Sequence, residues 1–472
     1  MQKFDAVIVG ARCAGAPLAT FLARQGFSVC VVDKTHLSNE VPSTNAFQTN
    51  GVDVLRRLGV LENLIASGAT VIKRVTVGST RESFSFEPDP DGYGTLIGIR
   101  RATMDPILAE AASEAGADVR TVLSVDDVII EHGRVRGVET RKGPIYADLV
   151  IGADGRNSVV AKSVGSREYL ALPGGRLSSW AYYTSYDESA EAFLGVKGTT
   201  GYLGMPSDGC YLISVNTPMD RRRAFLAERR ANFEAEVRRW PELYEVVRSG
   251  QQSGPIRIMS NWHSYFRESA GPGWVLVGDA GHFKDFSPGQ GMSDAFRQAE
   301  CLADHIGHGL NAGCIDTEMI QWWRWRDSDS WQMYWLACIL GEPYIPTALG
   351  DALFGYAAVQ PHFAERLTKV VNKQVKPLKA ATPGQILPVG QRLLRGLAAH
   401  PAELRHGIRA LASQISLGTK LALLQPHSPL ASRRYQPRLR FRSVTNTRGP
   451  STAQHDGPTA RSVPTPLANP RC

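Results

Sequence analysis

The first thirty-three residues restrict the fold more than any other stretch. Asp5 to Val9 is an apolar run of the kind a buried strand uses, and it passes without a break into Gly10-Ala11-Arg12-Cys13-Ala14-Gly15. Behind the glycines, Ala14, Leu18, Ala19, Leu22 and Ala23 recur at helical spacing, and Gly26 closes the helix. A second apolar strand, Phe27 to Val32, then ends at Asp33. Strand, helix and strand in so short a span make a βαβ unit, the opening of an α/β fold. Glycines at the turn, free amides at the helix start and an acid about 20 residues further on form the fingerprint of a dinucleotide site: phosphates meet the helix, and the acid meets ribose hydroxyls. Arg12 stands where the fingerprint has its middle glycine, and there it either turns outward or meets phosphate. Asp33 fits free ribose hydroxyls, with Lys34 beside it.

Two later stretches repeat the pattern of an acid and glycines at a strand's end. Asp148 to Ile151 runs into Gly152-Ala153-Asp154-Gly155-Arg156, and Trp274 to Val277 runs into Gly278-Asp279 and a loop holding Gly281, Pro288, Gly289, Gln290 and Gly291. From Met292 a helix follows, with Ala295, Phe296, Ala299, Leu302, Ala303 and Ile306 on its apolar face. A carboxylate at such a strand end accepts hydrogen bonds from ligand hydroxyls, while the helix start favours negative charge. Three sites of this kind in order would serve successive parts of one long dinucleotide. Between them, Thr103 as cap, Pro106 in the first turn and Gly116 as terminator predict a helix, with Arg101 ahead of it as a surface charge or a cofactor contact.

From Val71 to Ile99 the pattern is β-type and turn-rich, and from Arg167 to Trp262 it alternates like antiparallel sheet, broken by one charged helical stretch from Arg221 to Val247. Trp180, Tyr182, Tyr183, Tyr202 and Tyr211 are the aromatic candidates to line a pocket, although sheet-face packing accounts for most aromatic strand residues. His282, Trp262 and His263 flank the third turn, where histidines act more often as structural hydrogen-bonders than as bases. The aromatic run Trp322 to Trp335 predicts a helix packed on the dinucleotide domain, with Trp331 or Tyr334 reaching a pocket rim.

The ordered set of motifs resembles the flavoprotein monooxygenases with the para-hydroxybenzoate hydroxylase fold, and their relatives the geranylgeranyl reductases and flavin-dependent halogenases. GARCAGAPLA and GDAGHFKDFSPGQGMSDAFRQAE carry the resemblance, which covers roughly the first three hundred residues. It implies an α/β chain: a Rossmann-like FAD-binding domain made of residues 1–70, 101–165 and 263–310, with an inserted mixed β-sheet substrate domain of 71–100 and 166–262. C-terminal helices over 311–425 and a disordered basic tail over 426–472 complete the expected organisation. By the same resemblance Gly10 to Gly15, Asp33 and Lys34 hold the ADP half of FAD, and Arg101 approaches the pyrophosphate or ribityl region. Asp154 and Gly155 support FAD and a nicotinamide nucleotide, Asp279 binds the ribityl chain, and Gly289, Gln290, Gly291 and Met292 lie under the isoalloxazine. Phe286 stands where this group usually has proline. The implied reaction is that of an oxidoreductase: NAD(P)H reduces FAD, dioxygen reoxidises it, and one oxygen atom enters an apolar aromatic or polycyclic substrate. No catalytic side-chain nucleophile and no metal are expected. The alternatives are a reductase of isoprenoid double bonds, a halogenase, for which the WxWxIP motif is absent, and a non-catalytic prenyl carrier.

At 472 residues and 43% hydrophobic the chain is long enough for two or more domains. Seven cysteines, an odd number without CxxC, argue against a disulfide framework or zinc site and for a cytoplasmic home. From Lys376 onward fifteen basic residues stand against Glu403 and Asp456, an excess of +13, so the net +8 leaves −5 on everything before. The basic charge therefore describes a tail, rich after Pro426 in Pro, Ser, Thr and Arg, rather than the ligand. A stripe of Leu404, Ile408, Leu411 and Ile415 with Arg405 and Arg409 would suit peripheral contact with an anionic membrane; a solvated tail has the same composition. Nucleic-acid binding has no supporting motif.

Overall fold

The computed structural model describes residues 3–88, 95–187, 191–344 and 347–399, with isolated positions at 412, 416, 419 and 426. The turn at Asp89 to Gly94, the stripe from Leu404 to Ile415 and the basic tail therefore lie, wholly or nearly so, outside the described residues.

Lys3–Val9 is the middle strand of a largely parallel sheet whose order is Ala270–Gly271, Trp274–Leu276, Ile145–Gly152, Lys3–Val9, Val29–Val32 and Asp118–Arg120, with Val125–Glu131 and Arg134–Thr140 attached as a hairpin. Burial on both faces explains why the central strands read as continuous apolar runs. Ala6 and Ile8 face one core with the helices Gly15–Arg24 and Gly291–Asn311, and Val7 and Val9 face another with Val150 and Leu276. The register pairs Val9 with both Gly152 and Val32, and Gly152 with Leu276. Carboxyl ends in register bring the three glycine-acid turns side by side at one edge, where open α/β sheets bind ligands.

The second sheet runs Gln251–Met259, Arg176–Thr184, Cys210–Pro218, Thr200–Ser207, Ala192–Lys197, Val75–Gly78 and Ser83–Phe86. Its one parallel pair, Val75–Gly78 with Ala192–Lys197, makes it mixed. Alternation sorts its aromatics between faces. Tyr183 and Tyr211 pack with Phe233, Val237 and Leu243 of the helices Arg229–Val237 and Pro241–Ser249, whereas Trp180 and Tyr182 fall with Leu203 and Met205 on the opposite side.

The helix expected near Thr103 spans Arg101–Glu114, and Thr103 is not its cap. Asp208, from the turn of the second sheet, takes that part in trans: its carboxylate accepts the Arg100 amide at 2.7 Å, the Arg100 Nε at 3.0 Å and the Thr103 hydroxyl. An acid 108 residues away in sequence satisfies the helix start, and so ties the two sheets together.

The aromatic run lies in the helix Ile315–Leu340. Trp322 joins the core beneath the parallel sheet, while Trp331, Tyr334 and Trp335 bury against Phe266 and Leu170. Among the described residues three further α-helices follow, Thr347–Val359, Pro361–Val371 and Pro383–Ala399. No described helix is long and apolar enough to cross a membrane.

Candidate functional site

Gly10 adopts a φ of +104°, and a Cβ there would sit 2.4 Å from the Ala153 carbonyl oxygen; a Cβ on Gly15 would sit 1.7 Å from that of Gly10. Gly10 demands glycine because the first and second turns pack backbone to backbone, and Gly15 because the helix start closes on the Gly10 carbonyl within the first turn. Asp33 is buried, its Oδ2 accepting the Ala11 amide at 3.0 Å and its Oδ1 the Thr35 amide at 2.9 Å. Arg12 turns toward Asp105: its Nη1 lies 2.5 Å from Oδ2, and its Nη2 donates to Thr35. Arg101 grips the same carboxylate with two bonds of 2.8 and 2.9 Å. Burial opposes ionisation of Arg101, but Asp105 outweighs it and raises the pKa above the ordinary arginine value. Two guanidiniums on one carboxylate leave a positive charge over at the turn. Cys13, buried nearby, has its thiol pushed up to about 12 by burial and stays protonated.

Asp154 accepts the amides of Val159 and Val160 on Oδ2, while its Oδ1 is buried without a partner. Asp279 has no hydrogen bond to its carboxylate among the described residues, and burial raises its pKa against the pull of Arg156, Lys284 and Arg101. Both acids line one cavity of about 1190 Å³, larger than the ~300–1,000 Å³ of an ordinary ligand pocket. It also takes in Gly10, Arg12, Cys13, Ala14, Asp33, Lys34, Arg101, Gly155, Gly289, Gly291 and Met292. Ala11, Gly15 and Gln290 stand behind its wall. Gln290 is fully buried and bonds Val371 and Asn50, so its part is to brace the turn.

Of the aromatic candidates, Trp180 lines the cavity; Tyr202 borders it only from its strand, its ring packed on Trp240 and its hydroxyl on Glu236 on the far face. Tyr211 lies on the far side of the sheet with its hydroxyl on the Glu191 carbonyl at 2.7 Å, and Tyr183 shares that face, because successive strand residues point to opposite faces. Tyr182 is on the near face but outside the lining, its hydroxyl 3.4 Å from Glu40. Nor do Trp331 and Tyr334 reach the rim; Leu336, Ile339 and Leu340 of the same helix do. Phe286 lines the cavity with its ring 5.4 Å from that of Trp262.

Sequence reasoning missed Asp105, Arg156, Arg176 and the charged cluster behind the third helix start. There Lys284 and Lys373 both bond Asp294, the latter at 2.7 Å, and Lys373 and Arg297 bond Asp329. Lys373 has a φ of +59° just past the helix Pro361–Val371, a place that favours glycine. Its ion pairs offset that backbone cost. The i, i+4 spacing of Arg101 and Asp105 was the one readable signal; Lys373 and Asp294 are 79 residues apart.

His282 is buried in the cavity wall with Nε2 unpartnered. Burial, reinforced by Lys284 and Arg326, pushes its pKa well below the usual histidine value. The folded imidazole is therefore neutral while the unfolded one takes a proton below its ordinary pKa of about 6.5. Unfolded chains then bind more protons, so stability falls as pH drops below about 6.5, by up to ~1.4 kcal/mol per pH unit from this group. Urea unfolding between pH 7.5 and 5 measures the slope, which His282→Gln is expected to flatten.

Fold and site together define a dinucleotide-binding α/β protein whose ligand cavity continues beneath a mixed sheet. A family model described as FAD binding domain matches residues 3–314, and the chain belongs to that family. It is 25% identical to rifampicin monooxygenase of Rhodococcus hoagii over 66% of this chain and 66% of that protein. It is 27% identical to digeranylgeranylglycerophospholipid reductase 2 of Methanothermobacter thermautotrophicus over 69% of this chain and 84% of the reductase. Coverage is shorter elsewhere: the chain matches 39% of the length of the probable electron transfer flavoprotein-quinone oxidoreductase YdiS of Escherichia coli, at 31% identity over 35% of its own length. Among solved structures, flavin-dependent brominase Bmp2 superposes with a TM-score of 0.67 at 20% identity, over 79% of this chain and 94% of that one, a likeness of fold.

Proposed function

We propose that the chain is an FAD-dependent oxidoreductase of the monooxygenase type, which takes electrons from NAD(P)H and inserts one atom of dioxygen into a largely apolar small molecule. The observation that carries this reading is the convergence of three glycine-acid turns on one cavity that continues beneath the mixed sheet. FAD fits the residues present. Asp154 has an orphaned buried oxygen, Asp279 faces the cavity without a protein donor, and Gly291 has open space where a Cβ would stand.

Bound there, FAD would supply hydride acceptance from a nicotinamide and reaction with dioxygen. The chain's own residues bind and orient. The turn from Gly10 to Ala14, with Arg101, would hold the diphosphate by helix-start amides and the surplus guanidinium charge. Asp279 would accept from ribityl hydroxyls, and the free amides at Gly291 and Met292 would favour negative charge on the flavin. Behind them Lys284, Lys373 and Arg297 outnumber Asp294 and Asp329 by one positive charge, which favours added electron density at the helix start. The second sheet and the C-terminal helices exclude water.

An absorbance spectrum of the purified protein, then NADPH with and without air, tests the reading. Expected is a yellow protein that bleaches with NADPH and recovers in air with peroxide released. A protein that takes up no FAD on reconstitution would overturn it. The reductase relative, matched over 84% of its length, favours a second reading, saturation of a double bond. Product formation from an alkene without oxygen would select that reading.

A further inference from the structure

Arg176 is only 6% exposed and lines the cavity on the near face of the second sheet. Its Nη2 donates to the Glu342 carbonyl at 2.9 Å, its Nε is buried without a partner, and no described carboxylate lies within 4 Å. Asp285 and, more weakly, Glu342 favour its charge from further off, and the Asp285 carboxylate already accepts the amide and hydroxyl of Ser287. Lys284, the other buried cation of the cavity wall, is by contrast paired with Asp294, and the half-buried Arg101 with Asp105. Burial accordingly lowers the pKa of Arg176, whereas that of Arg101 is raised. A buried guanidinium without a carboxylate in contact is costly, so an empty site of this kind is stabilised by an anion.

Polar neighbours extend the same patch. Ser178, Ser214 and Asn216 are buried and line the cavity, opposite one another on adjacent strands where Ser178 pairs with Asn216 and Trp180 with Ser214. Their side-chain bonds are long: 3.4 Å between the two serines, 3.5 Å from Ser214 to Asn216 and 3.4 Å from Asn216 to the Gly201 carbonyl. Weak mutual bonds leave these groups free to turn to a ligand. Gly201 makes room, since a Cβ there would lie 2.9 Å from Arg176 Nη1. Around the patch the cavity is apolar, with Val77, Leu194, Leu203, Leu353, Phe354 and Leu367.

We propose that Arg176, with Ser178, Ser214 and Asn216, is a carboxylate-binding subsite, and that the substrate is an organic acid with an extended apolar body. The inference rests on the reading of the cavity as an FAD and substrate site and narrows the substrate class. Guanidinium takes a carboxylate by paired, charge-assisted bonds, and such bonds set orientation as well as affinity.

The test is calorimetric titration of FAD-reconstituted protein with 1-naphthoate and decanoate, each against its own amide. Arg176→Met removes the cation, and Gly201→Ala, with its Cβ against Nη1, displaces it without removing it. Expected is an acid that binds at least about tenfold more tightly than its amide, a preference lost in Arg176→Met and weakened in Gly201→Ala while FAD content is unchanged. If neither acid outbinds its amide, or if Arg176→Met keeps the preference, the proposal falls and the flavin reading stands. Failure to take up FAD would strike the flavin reading instead; the same titration of the apoprotein would still decide for or against the anion subsite.

Discussion

Asp294→Ala is expected to cost about 3–5 kcal/mol of folding stability, the loss that follows when one member of a buried ion pair is removed. Asp294 is 2% exposed and bonds both Lys284 and Lys373, with Arg297 3.6 Å away. Burial alone would raise its pKa, but Lys284, Lys373 and Arg297 outweigh it and hold the carboxyl far below the usual range. Removal leaves Lys284, itself buried, without a counter-ion. Lys373 keeps Asp329, so Lys284 bears most of the penalty. Lys284→Met combined with Asp294→Ala is therefore expected to recover part of the loss, and urea denaturation of the four proteins gives the coupling energy. Additive losses would mean that the pair contributes nothing as a pair. The pH sense follows from the depressed pKa. This stability is present above the unfolded value of about 3.9 and is lost as pH falls through the folded one, so it is untouched across the range where His282 acts.

Asp279→Ala is expected to have the opposite profile. Its carboxylate is half-buried in the cavity, has no hydrogen-bond donor among the described residues and has a pKa raised by desolvation, so folding works against its charge. Removing it is expected to leave the melting temperature of the apoprotein unchanged or higher. FAD affinity is expected to fall by about 100-fold or more, the worth of two hydrogen bonds to a charged group at ~1.5–3 kcal/mol each. Fluorescence quenching on FAD titration measures the affinity. Unchanged affinity would remove Asp279 from the cofactor site. An apoprotein that melts lower would show that the acid serves the fold instead.

The two variants also separate what was legible in the chain from what was not. Asp279 follows an apolar strand and precedes glycines, a local pattern that a strand end in a parallel sheet explains. Asp294 reads as one more acid on the polar face of a helix, yet it is the buried centre of an ion cluster. Nothing near it in sequence signals Lys373, which arrives from the end of a later helix. Asp208 shows the same limit: Thr103 was the natural cap by composition, but an acid from the other sheet was better placed. Among the aromatics, residue type could not distinguish Trp180, which lines the cavity, from Tyr202 and Tyr211, whose rings turn to the far face of the sheet. That distinction depends on register, and a one-residue shift exchanges the faces of a strand.

The sequence by itself determined the elements whose causes are local: the βαβ opening, the three strand-end turns, the alternating middle and the aromatic helix. Periodicity, turn glycines and strand-end acids act over a few residues, and they sufficed for the class of fold and for a dinucleotide-type site. Tertiary structure alone decided which charges are paired. It set Arg12 and Arg101 on Asp105, enclosed Lys284 and Lys373 around Asp294, and left Arg176 inside the cavity without a carboxylate in contact. Charge pairing depends on distances of a few ångströms between residues far apart in the chain, and on burial that turns weak surface attraction into several kcal/mol. Neither quantity exists until the sheets and helices have packed.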